Sequence, residues 1–291
     1  MKATRASTTA EGIALARAVE SHKPAEQRIC YDPFARQFVS ALYWNVFRFF
    51  VSSGYAERRG PGTMGFLVAR ERYIDDYLQA VLDDGLEQLV ILGAGYDSRA
   101  YRFERLKGCK VFEVDHPATQ RAKIIKLKKI LETLPAHVVF VPIDFETQTL
   151  QERLVECGYD EHKKTLFIWQ GVTQYLTPEA VDSTLAFVAH HASRGSSIIF
   201  DYMHTSLLDG TVKRGEVNSM RHYRHLTGEG FKFGIPEGTI EAFMQQRGFC
   251  RVTNATHEDF KRAYFTGINQ NRAVAAGYAI VSATVQRQEI S

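Results

Sequence analysis

Residues 89–117 read LVILGAGYDSRAYRFERLKGCKVFEVDHP, two apolar runs on either side of a glycine turn. Val90, Ile91 and Leu92 form a short apolar, β-branched segment, which predicts a buried strand. Gly93 and Gly95 follow at once. Glycine lets the backbone turn sharply and leaves room for a ligand where a Cβ would collide. Asp97 has the place of an N-cap for a helix carrying Ala100, Tyr101 and Phe103. The next strand, Val111–Val114, runs into Asp115, and Pro117 suits the first turn of another helix. Asp115 lies 22 positions after Gly93, the usual distance for a carboxylate that accepts hydrogen bonds from ribose hydroxyls. These parts, in this order, predict a site for an adenosine-bearing cofactor at the edge of a parallel sheet. The competing reading is a glycine turn in an α/β domain that binds nothing.

Outward from this unit, strands are expected at 89–93, 110–114, 138–142, 165–169 and 196–203, alternating with helices such as 178–192. Such alternation predicts an α/β fold with a Rossmann-like, mostly parallel sheet and right-handed crossovers. Ligands of such sheets bind beyond the carboxyl ends of the strands, and Asp115, Asp144 and Gln170 all fall there. Helices at 12–21, 33–50 and 65–83 precede the sheet. Residues 204–234 break the alternation and read as a lid or acceptor-binding insertion. A helix at 239–248 and strands at 249–255 and 278–285 follow. The whole is expected to be one domain: a helical cap over 1–87, a cofactor-binding core over 88–203, the insertion over 204–236, and a C-terminal helix and strands over 237–291. Ser98 occupies the third glycine position of G-x-G-x-x-G. That glycine serves a pyrophosphate against the helix start. A cofactor without phosphates, such as S-adenosylmethionine, does not need it.

ILGAGYDSRAYR, FEVDHP, VPIDF (141–145) and WQGVTQYLTP (169–178) occur in an order that resembles the leucine carboxyl methyltransferase-like enzymes. These are a branch of the class I S-adenosylmethionine-dependent methyltransferases that includes tetracenomycin-type polyketide O-methyltransferases. The resemblance extends to YDPFA (31–35) and VARERYIDD (68–76), and covers most of residues 10–186. It implies S-adenosyl-L-methionine as cofactor and an antiparallel pair closing the sheet. It also implies that Arg70 grips the methionyl carboxylate, that Gly93 and Gly95 line the methionyl part, that Asp115 binds the ribose, and that Asp144 and Phe145 contact the adenine. Gln170 stands where the family usually has a glutamate beside the methionyl amine. A basic residue of the first helix, Arg17 or Lys23, completes such sites. Each position has a structural alternative. Arg70, Glu71, Arg72, Asp75 and Asp76 could form a solvated helix face with i,i+4 pairs, Asp144 a cap, and Phe145 a core residue.

Methyl transfer from a sulfonium is an in-line displacement helped by alignment and exclusion of water. An acceptor carboxylate needs no base, whereas a hydroxyl gains from one. Tyr175 and His204 are the candidate catalytic residues, with Tyr202 and the His222/Tyr223/His225 cluster nearby. Packing and a loop position are the respective alternatives for Tyr175 and His204. His222 and His225 lack a third ligand, so no metal is expected. The expected function is O-methylation of a small-molecule carboxylate or hydroxyl. The alternatives are a protein C-terminal carboxyl methyltransferase, a nicotinamide-dependent oxidoreductase and a non-catalytic cofactor-binding module.

The chain has 291 residues, 45% hydrophobic and 24% charged, with formal charge +3. This is ordinary globular material, without the dense basic track that a nucleic acid would require. Cys30, Cys109, Cys157 and Cys250 are scattered without C-x-x-C pairing, and the N-terminus lacks the apolar core of a secretion signal, so a cytoplasmic protein with free thiols is expected. The aromatic stretch 38–56 is interrupted by Asn45, Arg48 and serines. It falls short of a membrane span and reads instead as an amphipathic helix over the active site. No membrane partner is expected, and nothing sets an oligomeric state.

Overall fold

The computed structural model describes residues 8–145, 147–210 and 230–286. Seven strands form one sheet: β1 (Gln88–Leu92), β2 (Lys110–Asp115), β3 (Val138–Pro142), β4 (Thr165–Trp169), β5 (Ser197–Met203), β6 (Phe249–Ala255) and β7 (Tyr278–Val285). Their order is β3-β2-β1-β4-β5-β7-β6. β1 to β5 are parallel, and β7 pairs antiparallel with both β5 and β6. All residues of β1 and β4 are buried, which is why these strands read as unbroken apolar runs rather than alternating ones. The chain steps outward from β1 to β3, then returns across β1 to lay down β4. A crevice therefore opens at the carboxyl ends of β1 and β4, where neighbouring connections leave in opposite directions.

The helices are α1 (Thr8–Ser21), α2 (Ala41–Ser52), α3 (Tyr55–Arg59), α4 (Thr63–Asp83), α5 (Arg99–Arg102), α6 (Pro117–Ile130), α7 (Leu150–Glu156), α8 (Pro178–His191), α9 (Thr205–Leu208), α10 (Ile240–Gln245) and α11 (His257–Tyr264). The single helix expected over 33–50 is two pieces. Asp32 accepts the N–H groups of Phe34 and Ala35, setting a 3-10 turn over Ala35–Phe38. Val39 is then extended, and the Ser40 side chain caps α2 through the N–H of Tyr43. α10 is shorter than expected. α7 and α11 are additional, and each starts with a reciprocal capping box, Thr149/Glu152 and Thr256/Asp259.

One core lies between the sheet and α7, α8 and α10, and includes Phe112, Phe167, Leu185 and Met244. The opposite face is covered by α4 and α11 through Ile74, Leu78 and Phe260. A smaller third core joins α1, α2 and α6 through Ala14, Leu15, Ala18, Phe38, Trp44 and Leu127. Through it α2 grips α1, and the opposite face of α2 is exposed. α1 is also tied to the segment before β7. The buried Glu20 carboxylate accepts both terminal nitrogens of Arg272, at 2.8 and 2.9 Å, and the N–H of Ile29 at 2.8 Å. Among the described residues no helix is long and apolar enough to cross a membrane.

Candidate functional site

The glycine turn after β1 has the backbone its sequence requires. Gly93 has φ +68° and Gly95 φ +44°, both in the region where side chains are strained. A Cβ on Gly93 would also stand 2.5 Å from a methyl of Val172, in the loop after β4. The N–H of Gly95 donates to one oxygen of Asp115 and the N–H of His116 to the other. The carboxylate is thus fixed from both sides, with lone pairs left over for further donors. Burial pushes the Asp115 carboxyl above its ordinary value, and these two N–H groups oppose the shift. Asp97 accepts the N–H of Arg99, although the residue immediately before α5 is Ser98.

α1 and α4 close over the strand tips. A Cβ on Gly95 would meet the Cβ of Ala10 at 3.1 Å, and one on Gly171 would meet Ile13 at 3.3 Å and Arg70 Nη1 at 3.4 Å. Arg70 is 2% exposed. Its Nη1 pairs with Asp201 of β5 at 2.5 Å, and Asp201 also accepts the N–H of Gly171. The other two guanidinium nitrogens, Nε and Nη2, are buried and have no hydrogen-bond partner among the described residues. A buried guanidinium with two idle donors is costly unless an anion meets it.

Beside Arg70 lies a buried ion cluster drawn from α1, α4 and the DSRAYR segment. Arg99 is fully buried and pairs with Glu71 at 3.1 Å, with Asp75 at 2.8 Å and with Asp97. Arg102 pairs with Glu71 at 2.9 Å and Asp75 at 2.8 Å. Arg17 binds Asp32 at 2.9 Å and donates to the carbonyl of Tyr96 in the glycine turn. Of the two candidate basic residues in the first helical region, Arg17 therefore reaches the crevice, whereas Lys23 pairs locally with Glu20. Gln170 is built into this cluster: it accepts from Arg99 at 2.9 Å and donates to Glu71 at 3.0 Å. Burial alone would raise the Glu71 carboxyl, but Arg99, Arg17 and Arg102 outweigh it and hold the group well below the usual glutamate range. Asp75 is displaced upward, because burial and the adjacent Glu71 prevail over Arg99 and Arg102.

The solvated-face reading of VARERYIDD holds only for Arg72 and Asp76, an exposed i,i+4 pair. Arg70, Glu71 and Asp75 turn inward. Asp144 is partly buried at the tip of β3, and Phe145 is 64% exposed rather than a core residue. Tyr175 stands in a 3-10 turn after β4, its ring against Phe231. His204 is buried at the tip of β5, bridged to Ile235 and near the ring of Tyr202. Of the predicted insertion, residues 211–229, including His222, Tyr223 and His225, lie outside the described residues.

Residues 10–189 match the sequence profile of the family described as "Leucine carboxyl methyltransferase". A Bacillus subtilis protein, "Putative S-adenosyl-L-methionine-dependent methyltransferase YktD", is 34% identical over 205 residues, which are 70% of this chain and 67% of that protein. A Streptomyces coelicolor protein of the same description is 32% identical over 189 residues, 65% of this chain and 66% of its own length. The matched stretch spans about two thirds of these relatives. The crystal structure of "a putative methyltransferase from Thermobifida fusca YX" superposes with a TM-score of 0.61 at 13% identity, covering 97% of this chain and 96% of that one. At that identity the likeness is one of fold.

Proposed function

Because this chain belongs to the leucine carboxyl methyltransferase family and has the class I methyltransferase fold, we propose that it transfers the methyl group of S-adenosyl-L-methionine to a carboxylate or hydroxyl oxygen of a small molecule. One observation carries the reading: at the tips of the same sheet, Arg70 keeps two buried donors that no described residue meets, while Asp115 is held ready by the glycine turn.

In this reading the free edge of Arg70 receives the methionyl carboxylate as a fork. Gly93 and Gly95 make room for the chain of the cofactor, and Asp115 accepts the ribose hydroxyls. Asp144 and the exposed Phe145 flank the adenine at the tip of β3. Gln170 carries no charge. It links Arg99 to Glu71, so the negative charge near the methionyl amine is supplied by Glu71, one side chain further in. The cofactor supplies an electrophilic methyl on a sulfonium, and the protein aligns the acceptor and excludes water. Tyr175 orients the acceptor. His204 takes the proton of a hydroxyl acceptor, whose pKa of ~10 for a phenol needs such help; a carboxylate at ~4 does not.

Calorimetry with S-adenosylhomocysteine tests the cofactor half, and absence of binding at millimolar ligand overturns it. Transfer of labelled methyl into a small-molecule extract tests the other half. A base-labile product is an ester, a base-stable one an ether, and label in the protein fraction instead overturns the small-molecule reading. Arg70→Lys keeps a charge opposite Asp201 but loses the fork. Affinity for the demethylated cofactor is expected to fall by about tenfold or more, and an unchanged titration would remove Arg70 from the site. Ribose binding requires the ionised Asp115, whose carboxyl lies above its ordinary 3.8. Affinity is therefore steady at neutral pH and falls on acidification sooner than an ordinary aspartate would dictate, as a pH series of the same titration reads.

A further inference from the structure

Asp201 is an acid within a strand whose residues are all buried, a place where a carboxylate is costly unless fully answered. The β4–β5 ladder ends at Trp169 and Phe200. Asp201, the next residue of β5, therefore stands where the chain leaves β4 for the loop that carries Gln170 and Tyr175. Each of its oxygens has a different partner. Oδ2 accepts from Nη1 of Arg70 at 2.5 Å, and Oδ1 accepts the N–H of Gly171 at 2.5 Å. Its main-chain carbonyl accepts the hydroxyl of the buried Thr173 at 2.7 Å.

Which nitrogen of Arg70 is taken matters. Nε and Nη2 carry the parallel N–H bonds along one side of a guanidinium, the side that meets both oxygens of a carboxylate. Asp201 takes Nη1, and that side is left without a partner among the described residues. Two neighbours confine the group further. The ring centre of Phe66, one turn earlier on α4, lies 5.6 Å from the guanidinium carbon. Gly171 passes so close that a Cβ on it would stand 3.4 Å from Nη1 and 3.8 Å from Nη2. One carboxylate thus fixes both the guanidinium and the backbone that runs past it. An amide in its place would turn an NH2 group toward one of the two donors. On the premise that Arg70 holds the methionyl carboxylate, we propose that Asp201 is a positioning residue, which keeps the forked side of Arg70 turned to the cofactor.

Titration of the full chain with S-adenosylhomocysteine and with 5′-methylthioadenosine, which keeps the adenosine and lacks the methionyl carboxylate, tests this. In Asp201→Asn the first ligand is expected to weaken about tenfold or more, while the second binds as it does to the unaltered protein. Asp201→Glu keeps the charge and displaces it by one methylene. It should show the same split, and it carries the test alone if the amide variant does not fold. In an Arg70→Lys background Asp201→Asn should add little further loss, since both changes act through one fork. Equal weakening of both ligands, a full further loss in that background, or S-adenosylhomocysteine bound by the single variants as tightly as before or more so overturns the proposal and leaves the cofactor reading standing. An unaltered protein that binds neither ligand removes the cofactor reading, and the proposal falls with it.

Discussion

Arg99→Met is expected to destabilise the protein by about 3–5 kcal/mol, the cost of breaking a buried ion pair by removing one partner. Arg99 is fully buried, and its guanidinium answers Glu71, Asp75 and Asp97 together. Methionine fills similar space but leaves these carboxylates to Arg102 and Arg17. The melting temperature should fall by roughly 10 °C, and a urea midpoint close to that of the unaltered protein would mean that the cluster is not a structural hub. The sign of the pH dependence is fixed by Glu71, whose folded pKa is lowered against burial, chiefly by Arg99. Its stabilisation is full above the ordinary glutamate range and is lost as pH drops toward the lower folded value. The gap between unaltered and variant protein should therefore narrow in acid.

Asp115→Ala is expected to weaken binding of S-adenosylhomocysteine about a hundredfold, since two hydrogen bonds to a charged acceptor are lost. The variant also strips the N–H groups of Gly95 and His116 of their acceptor, loosening the glycine turn. Asp115→Asn preserves the shape and part of the acceptor capacity, so it should fall between the two. Calorimetry measures all three, with a melting curve to show that each is folded. Equal affinities would mean that the carboxylate serves only to brace the turn.

The centre of the parallel sheet was legible because β1, β4 and β5 are wholly buried, and a run such as LVIL admits few other readings. The glycine turn and Asp115 were legible because backbone geometry restricts what can stand there. Arg70 was visible as a match to a pattern, but its inward direction was not. Charges spaced along VARERYIDD serve a wet helix face or a buried one equally well, and the choice depends on DSRAYR arriving from a different element. Glu71, Arg99 and Arg102, which hold the site together, were not singled out for this reason. The alternation of acids and arginines in those two motifs was the available signal. Asp201 carried none, since its partner is 131 positions away. The break at Val39–Ser40 was hidden because an arginine on another helix fixes Asp32, which sets the turn.

The grip of Arg272 on Glu20 joins groups 252 positions apart. Contacts of such separation are slow to form, since loop closure must precede any gain from them. The helix resting on Gly95 and Gly171, already held by the third core and by Arg17 on Asp32, thus gains a further tie from chain that arrives much later. A nascent molecule can complete its five parallel strands before this tie exists, so the roof over the crevice is fully fastened only late in folding.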